Sequence, residues 1–148
     1  VKNIFSFKER LENFINIDDY NYLNKSEKIL IKKLNILLKK ENCFQIFTYE
    51  TAIHYFVNKM TCTKFSHIMN LGSKKNQLHF VDQLIETNPK YILTGGTYSK
   101  IGNMKNDKTN RLSAENRFPY INNYIYKHYV VYQKIESWNI LINKNFEN

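Results

Sequence analysis

The sequence predicts an α/β fold: a mixed sheet of about five strands, three of them parallel plus a C-terminal antiparallel hairpin, with helices on both faces. Three observations carry this. Between residues 43 and 94, short apolar runs alternate with helical patterns, the order that a parallel sheet with crossover helices requires. Near the end, two apolar runs flank only Glu136-Ser137, a turn so short that its strands must be antiparallel. Finally, 148 residues with 43% hydrophobic and 15% aromatic content can bury a core without a metal or disulfide staple.

The elements follow in order. Phe7, Leu11, Phe14 and Ile15 recur at helical spacing, so a short helix is expected near 8–16. Asp18-Asp19 suit a turn. Ser26 is an expected N-cap for a helix over 26–41, with Ile29, Leu30, Leu34, Leu37 and Leu38 as its apolar stripe. Cys43–Phe47 reads as a buried strand, Thr48–Thr51 as a turn and Ala52–Lys59 as a short helix. Lys64–Met69 reads as a second parallel strand. Gly72-Ser73 opens a helix with Leu78, Val81, Leu84 and Ile85 on one face, and it ends at Asn88 because Pro89 follows. Tyr91–Leu93 is the third strand, closed by Gly95-Gly96. Residues 97–116 are rich in Asn, Lys, Ser and Gly, which predicts a long mobile surface loop within this single domain. Phe118-Pro119 starts a helix to about His128, since Pro suits a first helical turn. Val130–Ile135 and Trp138–Asn143 form the hairpin.

The net charge is +9, from 19 Lys and 3 Arg against 13 acids. Such a balance can mark a nucleic-acid or anionic-membrane partner. AT-rich codon usage explains it more simply, because Asn, Ile, Lys, Tyr and Phe are abundant together. Lys is a solvated point charge, whereas base readout favours Arg, so nucleic acid is not the expected partner. The longest aliphatic runs are triplets, too short to span a membrane. The chain opens on Val1 without a signal-like segment, as expected of a domain excised from a larger protein or of a tag-cleaved chain.

No catalytic constellation stands out. His54, His67, His79 and His128 lack the i, i+4 spacing of a helical zinc site, and no Cys-x-x-Cys accompanies them, so no metal is expected. Cys43 and Cys62 have no His in an interpretable local frame. Asp82 and Glu86 suit a solvated helix face. Tyr120, Tyr124, Tyr126, Tyr129 and Tyr132, interleaved with Lys127 and Lys134, have the composition of a stacking platform, but packing at core and rim is the simpler reading. Thr94-Gly95-Gly96-Thr97 follows a strand, where α/β sheets place ligands. It lacks the further glycines and immediate helix of a dinucleotide loop, so no cofactor is assigned. Candidate ligand-binding residues are therefore those at the sheet's carboxyl edge: Thr48, Glu50, His67, Gly95 and Gly96.

The order of pieces adds a family resemblance. It runs through Phe44-Gln45-Ile46-Phe47-Thr48, then Ala52-Ile53-His54-Tyr55-Phe56-Val57-Asn58-Lys59, then Thr63-Lys64-Phe65. Asn76 to Leu84, Asn88-Pro89-Lys90-Tyr91-Ile92-Leu93 and Arg117-Phe118-Pro119-Tyr120-Ile121 complete it. Over residues 25–143 this resembles the soluble C-terminal domain of polytopic membrane glycosyltransferases of the protein-mannosyltransferase-like type. In that family a threonine, basic, aromatic strand follows the short helix, and a later helix ends in Pro-Lys-Tyr-Ile. Glu50-Thr51 replaces the family's Asp-Pro or Asn-Pro, so no role is carried over to that turn.

The resemblance implies a parent with many transmembrane helices and this domain on its periplasmic or extracellular side. It implies a polyprenyl-phosphate sugar donor and a catalytic acid in the membrane part, hence a domain that is not catalytic by itself. Its partners would be the transmembrane part of the same polypeptide and a lipid-linked sugar or acceptor. Cys43 and Cys62 stand at the starts of two strands expected to be neighbours, and such a location would permit their oxidation. Bridging also needs converging Cβ directions, so a disulfide and two free thiols both remain open. Two readings from other classes stand beside this one. One is a free-standing, cytoplasmic α/β enzyme binding a nucleotide or cofactor, and the other is a basic nucleic-acid-binding module.

Overall fold

The computed structural model describes residues 18–96 and 117–147. The helix expected near 8–16 and the loop expected at 97–116 lie outside them. The described residues form an α/β fold around a four-stranded mixed sheet of order β1-β2-β4-β3. Strands β1 (Gln45–Phe47) and β2 (Tyr91–Gly95) are parallel, with Ile46 opposite Leu93. Strand β4 (Trp138–Asn143) runs antiparallel to β2 and to β3 (Tyr129–Ile135), which completes the hairpin around Glu136-Ser137.

Among the described residues, four α-helices clothe the sheet. The first, α1 (Lys25–Leu37), is capped by Asn24 rather than by the expected Ser26. Asn24 Oδ1 accepts from Glu27 N–H at 2.9 Å and Glu27 Oε2 accepts from Asn24 N–H at 2.8 Å. This reciprocal box satisfies two helix-end donors at once, which a lone serine hydroxyl would not. Helix α2 (Ile53–Val57) stops at Asn58, whose φ of 47° ends the helical path. Ser73 caps α3 (Lys74–Thr87), and α4 (Pro119–His128) has Pro near its start.

The alternation along β2 divides the core. Tyr91 and Leu93 pack with α1, α2, Trp138 and Ile140 on one face. Ile92 and Leu141 pack with Phe80, Leu84, Phe118, Ile121 and Ile125 on the other. Period-2 side-chain alternation thus gives the sheet helices on both faces, as expected. The expected helix stripes need correction. Ile29 is exposed, and Ile31 takes the inward place beside Leu30 and Leu34. In α3, Leu78 and Ile85 are exposed, and Gln77, Phe80 and Leu84 point inward. Both errors arise because apolar residues outnumber the places on the buried face, so composition alone does not fix the helix's rotation.

The parallel strand expected over 64–69 does not form, which leaves four strands rather than five. Buried Gln45 explains why. Its Nε2 donates to Phe65 O at 3.3 Å, and its Oε1 accepts from Thr63 N–H at 3.1 Å. A side chain therefore takes the bonds that a strand ladder would use. Phe65 N–H turns back onto Thr63 Oγ1 at 3.2 Å, and Ile68–Leu71 coil into a 3-10 turn. The segment still covers the free edge of β1, where Phe44 N–H donates to Met60 O at 3.0 Å. Cys43 and Cys62 close that edge with a disulfide, their Cα atoms 5.0 Å apart.

Among the described residues, no helix is long and apolar enough to cross a membrane.

Candidate functional site

At the carboxyl ends of β1 and β2 the chain makes two tight turns that meet. Beyond β1, Thr48 is fully buried and its Oγ1 accepts from Glu50 N–H at 3.1 Å. That bond folds the turn and places the Glu50 carbonyl to accept from Ile53 N–H at 3.2 Å, at the start of α2. At the end of β2, Gly95 and Gly96 take φ of 89° and 62°, a region that residues other than glycine rarely enter. Gly95 sits against the hairpin turn, where an added Cβ would lie 2.2 Å from Ser137 O. Gly96 N–H donates to Ser137 O at 2.8 Å.

Gly96 has a different neighbourhood. An added Cβ there would lie 2.4 Å from Trp138 Nε1 and 2.8 Å from each Glu50 carboxylate oxygen. The glycine is the spacer that lets a carboxylate and an indole N–H approach the same backbone position. Trp138 is 6% exposed, so its ring has no open face on which a ligand could stack. Its Nε1 is buried and makes no hydrogen bond among the described residues. Buried indole N–H groups usually find a partner. Glu50 is half-buried. It also lines a cleft of about 240 Å³ between α1 and the β1–α2 turn, whose walls include Leu23, Ile31, Tyr49, Thr51 and Phe56. The arrangement sets a half-buried carboxylate beside an apolar wall, backed by the buried Trp138 indole.

The expected site residues separate under this geometry. Glu50 and Gly96 come together, with Thr48 and Gly95 as the buried turns that hold them. His67 stands apart. Its Nδ1 accepts from Met69 N–H at 3.0 Å, capping a 3-10 turn where a strand end was expected. Tyr49 lies between, its ring centroid 6.0 Å from that of His67 and its hydroxyl 3.5 Å from Arg117 Nη1. Trp138 was missed as a site residue. Its signal was being the chain's single tryptophan at the first position of a hairpin strand, but register with Gly95 cannot be read without the sheet.

His54 is a structural group. Its Nδ1 lies 3.1 Å from Lys59 O, its ring packs edge-on to Phe44, and burial pushes its pKa below the ordinary histidine value. Tyr129 donates to Pro89 O at 2.8 Å, and burial raises its pKa well above the ordinary tyrosine range. Among the described residues, no three His, Cys, Asp or Glu side chains are placed to share a metal ion.

No family model matches the chain, and no curated protein matches it. It is similar to the crystal structure of the C-terminal globular domain of an oligosaccharyltransferase from Archaeoglobus fulgidus, at TM-score 0.46 and 8% sequence identity. That similarity covers 82% of this chain and 99% of that one.

Proposed function

We propose that this chain is an extracytoplasmic accessory domain of a membrane glycosyltransferase that uses a polyprenyl-phosphate sugar, and that it is not catalytic by itself. The Cys43–Cys62 disulfide carries the reading. Disulfides persist in oxidising compartments and are rare in the cytosol. The order of motifs over residues 25–143 adds the family resemblance. In this reading the carboxyl end of the sheet faces the membrane part, and Glu50 presents its carboxylate to the acceptor while buried Trp138 backs it. Thr48, Gly95 and Gly96 hold that pair in place, and His67 contributes from the far side of Tyr49.

The Gly95-Gly96 turn gives the nucleotide-binding alternative less support. Its Gly96 amide already donates to Ser137 O and is not directed at a phosphate.

The test is sugar transfer from a polyprenyl-phosphate donor, assayed with the chain alone and with the intact parent. The chain alone is expected to transfer nothing. A parent carrying Glu50→Gln is expected to lose acceptor affinity while its domain keeps its disulfide. Turnover by the isolated chain would overturn the reading, as would two free thiols in the unreduced protein.

A further inference from the structure

The outward face of α1 carries a pattern that packing does not explain. Lys25, Ile29, Lys32 and Ile36 follow at i, i+4, i+7 and i+11, so they form one stripe along the helix. All four are exposed, and the two isoleucines are bare at 49% and 66%. Lys28 flanks the stripe, its Nζ 5.5 Å from the centre of the Tyr20 ring. Tyr20, Lys25, Lys28, Ile29 and Lys32 line an open hollow of about 360 Å³, and no carboxylate lines it. Two acids adjacent in sequence to its lining residues are engaged elsewhere: Glu27 Oε2 accepts from Asn24 N–H and Asp19 Oδ2 accepts from Tyr55 O–H. Lys39 and Lys40 continue the charge beyond the helix.

We propose that this face of α1 docks on an anionic lipid bilayer. The chemistry on the stripe selects that partner. Lysines on long stems place their ammonium groups among headgroup phosphates while the stems lie on apolar surface. Between them, Ile29 and Ile36 supply the methyl groups that enter the boundary between headgroups and acyl chains. A tyrosine with an apolar body and a polar tip suits the same depth. A nucleic acid would use the charges but has no place for two aliphatic side chains. It would be better gripped by arginine and by open aromatic faces. The net charge of +9 draws the whole chain toward anionic surfaces, and the α1 stripe adds exposed apolar residues in line with its charge.

The experiment is co-sedimentation of the full 148-residue chain with vesicles of phosphatidylglycerol and phosphatidylcholine, compared with phosphatidylcholine alone. Binding is expected only to the anionic vesicles and should weaken with salt. The triple variant Lys25→Glu, Lys28→Glu, Lys32→Glu should bind about a hundredfold more weakly, given the strength of lysines near an anionic surface. A second triple variant, Lys75→Glu, Lys127→Glu, Lys134→Glu, has the same net charge and should lose less than about tenfold. Ile29→Ser with Ile36→Ser should weaken binding about tenfold at unchanged charge, through the lost apolar insertion. None of these residues is buried, so circular dichroism should show every variant folded. Equal losses in the two triple variants would overturn the proposal, because net charge alone would then account for binding. An isoleucine pair without effect would overturn it too, as would no vesicle binding, or tighter binding to duplex DNA through the same lysines.

Discussion

The two ends of strand β2 are built on opposite terms. At its amino end, Asn143 Nδ2 donates to Asn88 Oδ1 at 2.9 Å, Asn143 N–H donates to Lys90 O at 2.9 Å, and Tyr129 donates to Pro89 O at 2.8 Å. Even the left-handed φ of 42° at Asn88 falls on a residue type that tolerates it. At the carboxyl end, Gly95, Gly96 and Glu136 all have positive φ, and the Trp138 N–H is buried without a hydrogen bond among the described residues. One end spends its polar groups on holding the fold. The other keeps a carboxylate and an indole N–H close together by means of glycines that no other residue can replace. The contrast shows which end has been shaped for stability and which tolerates unfavourable backbone and burial, a pattern that concentrates at functional sites.

Substitutions can break that comparison, starting with the largest effect. Gly95→Ala should destabilise the fold by about 4 kcal/mol, combining a left-handed φ with a Cβ against the Ser137 carbonyl. Urea unfolding measures it, and a cost near zero would mean that the hairpin turn gives way freely. Next, at the start of β1 on the amino side, Cys43→Ser with Cys62→Ser should cost about 3 kcal/mol, because the bond closes a loop with a sequence separation of 19. Comparing the melting of oxidised and reduced wild type checks the same quantity. Tyr129→Phe should cost about 1–2 kcal/mol by leaving the buried Pro89 carbonyl without its donor.

A further prediction uses pH. Burial lowers the pKa of His54 in the folded state, so the unfolded chain binds the proton more tightly. Stability contributed by neutral His54 is therefore full above the unfolded value of about 6.5 and falls as pH drops through it toward the lower folded pKa. Melting temperatures between about pH 7.5 and 5 should decline less in His54→Gln than in wild type. Parallel curves would remove His54 as the cause. The smallest expected effect sharpens the comparison from the other direction. Glu136→Gly should stabilise by about 0.5 kcal/mol, since glycine enters its φ of 50° without strain. Thermal melting resolves that gain, and a loss would mean that the Glu136 side chain supports the turn.

Local rules made most of the elements legible. The helix opening at Gly72-Ser73, the Pro at the start of α4, the Pro89 stop and the two-residue hairpin turn are each decided within a few residues of chain, and each stands as read. The burial of β2 on both faces likewise follows from its own continuous apolar run. Where the reading failed, the competing partner was distant in sequence. Gln45 captures Thr63 and Phe65, some twenty residues on, and turns an apparent strand into an edge cover. Ile29 looked like a core residue until α1 met the sheet and its rotation became fixed. The candidate site divides in the same way. The strand-end rule located Thr48, Glu50, Gly95 and Gly96 from sequence, because parallel strands gather their carboxyl ends on one edge. Trp138 joined them only through the antiparallel register that sets it opposite Gly95, and His67 left them when its strand did not form. Turn and cap chemistry is short-range and written residue by residue, whereas register, helix rotation and which side chain stands across a glycine are set by packing between segments far apart in the chain.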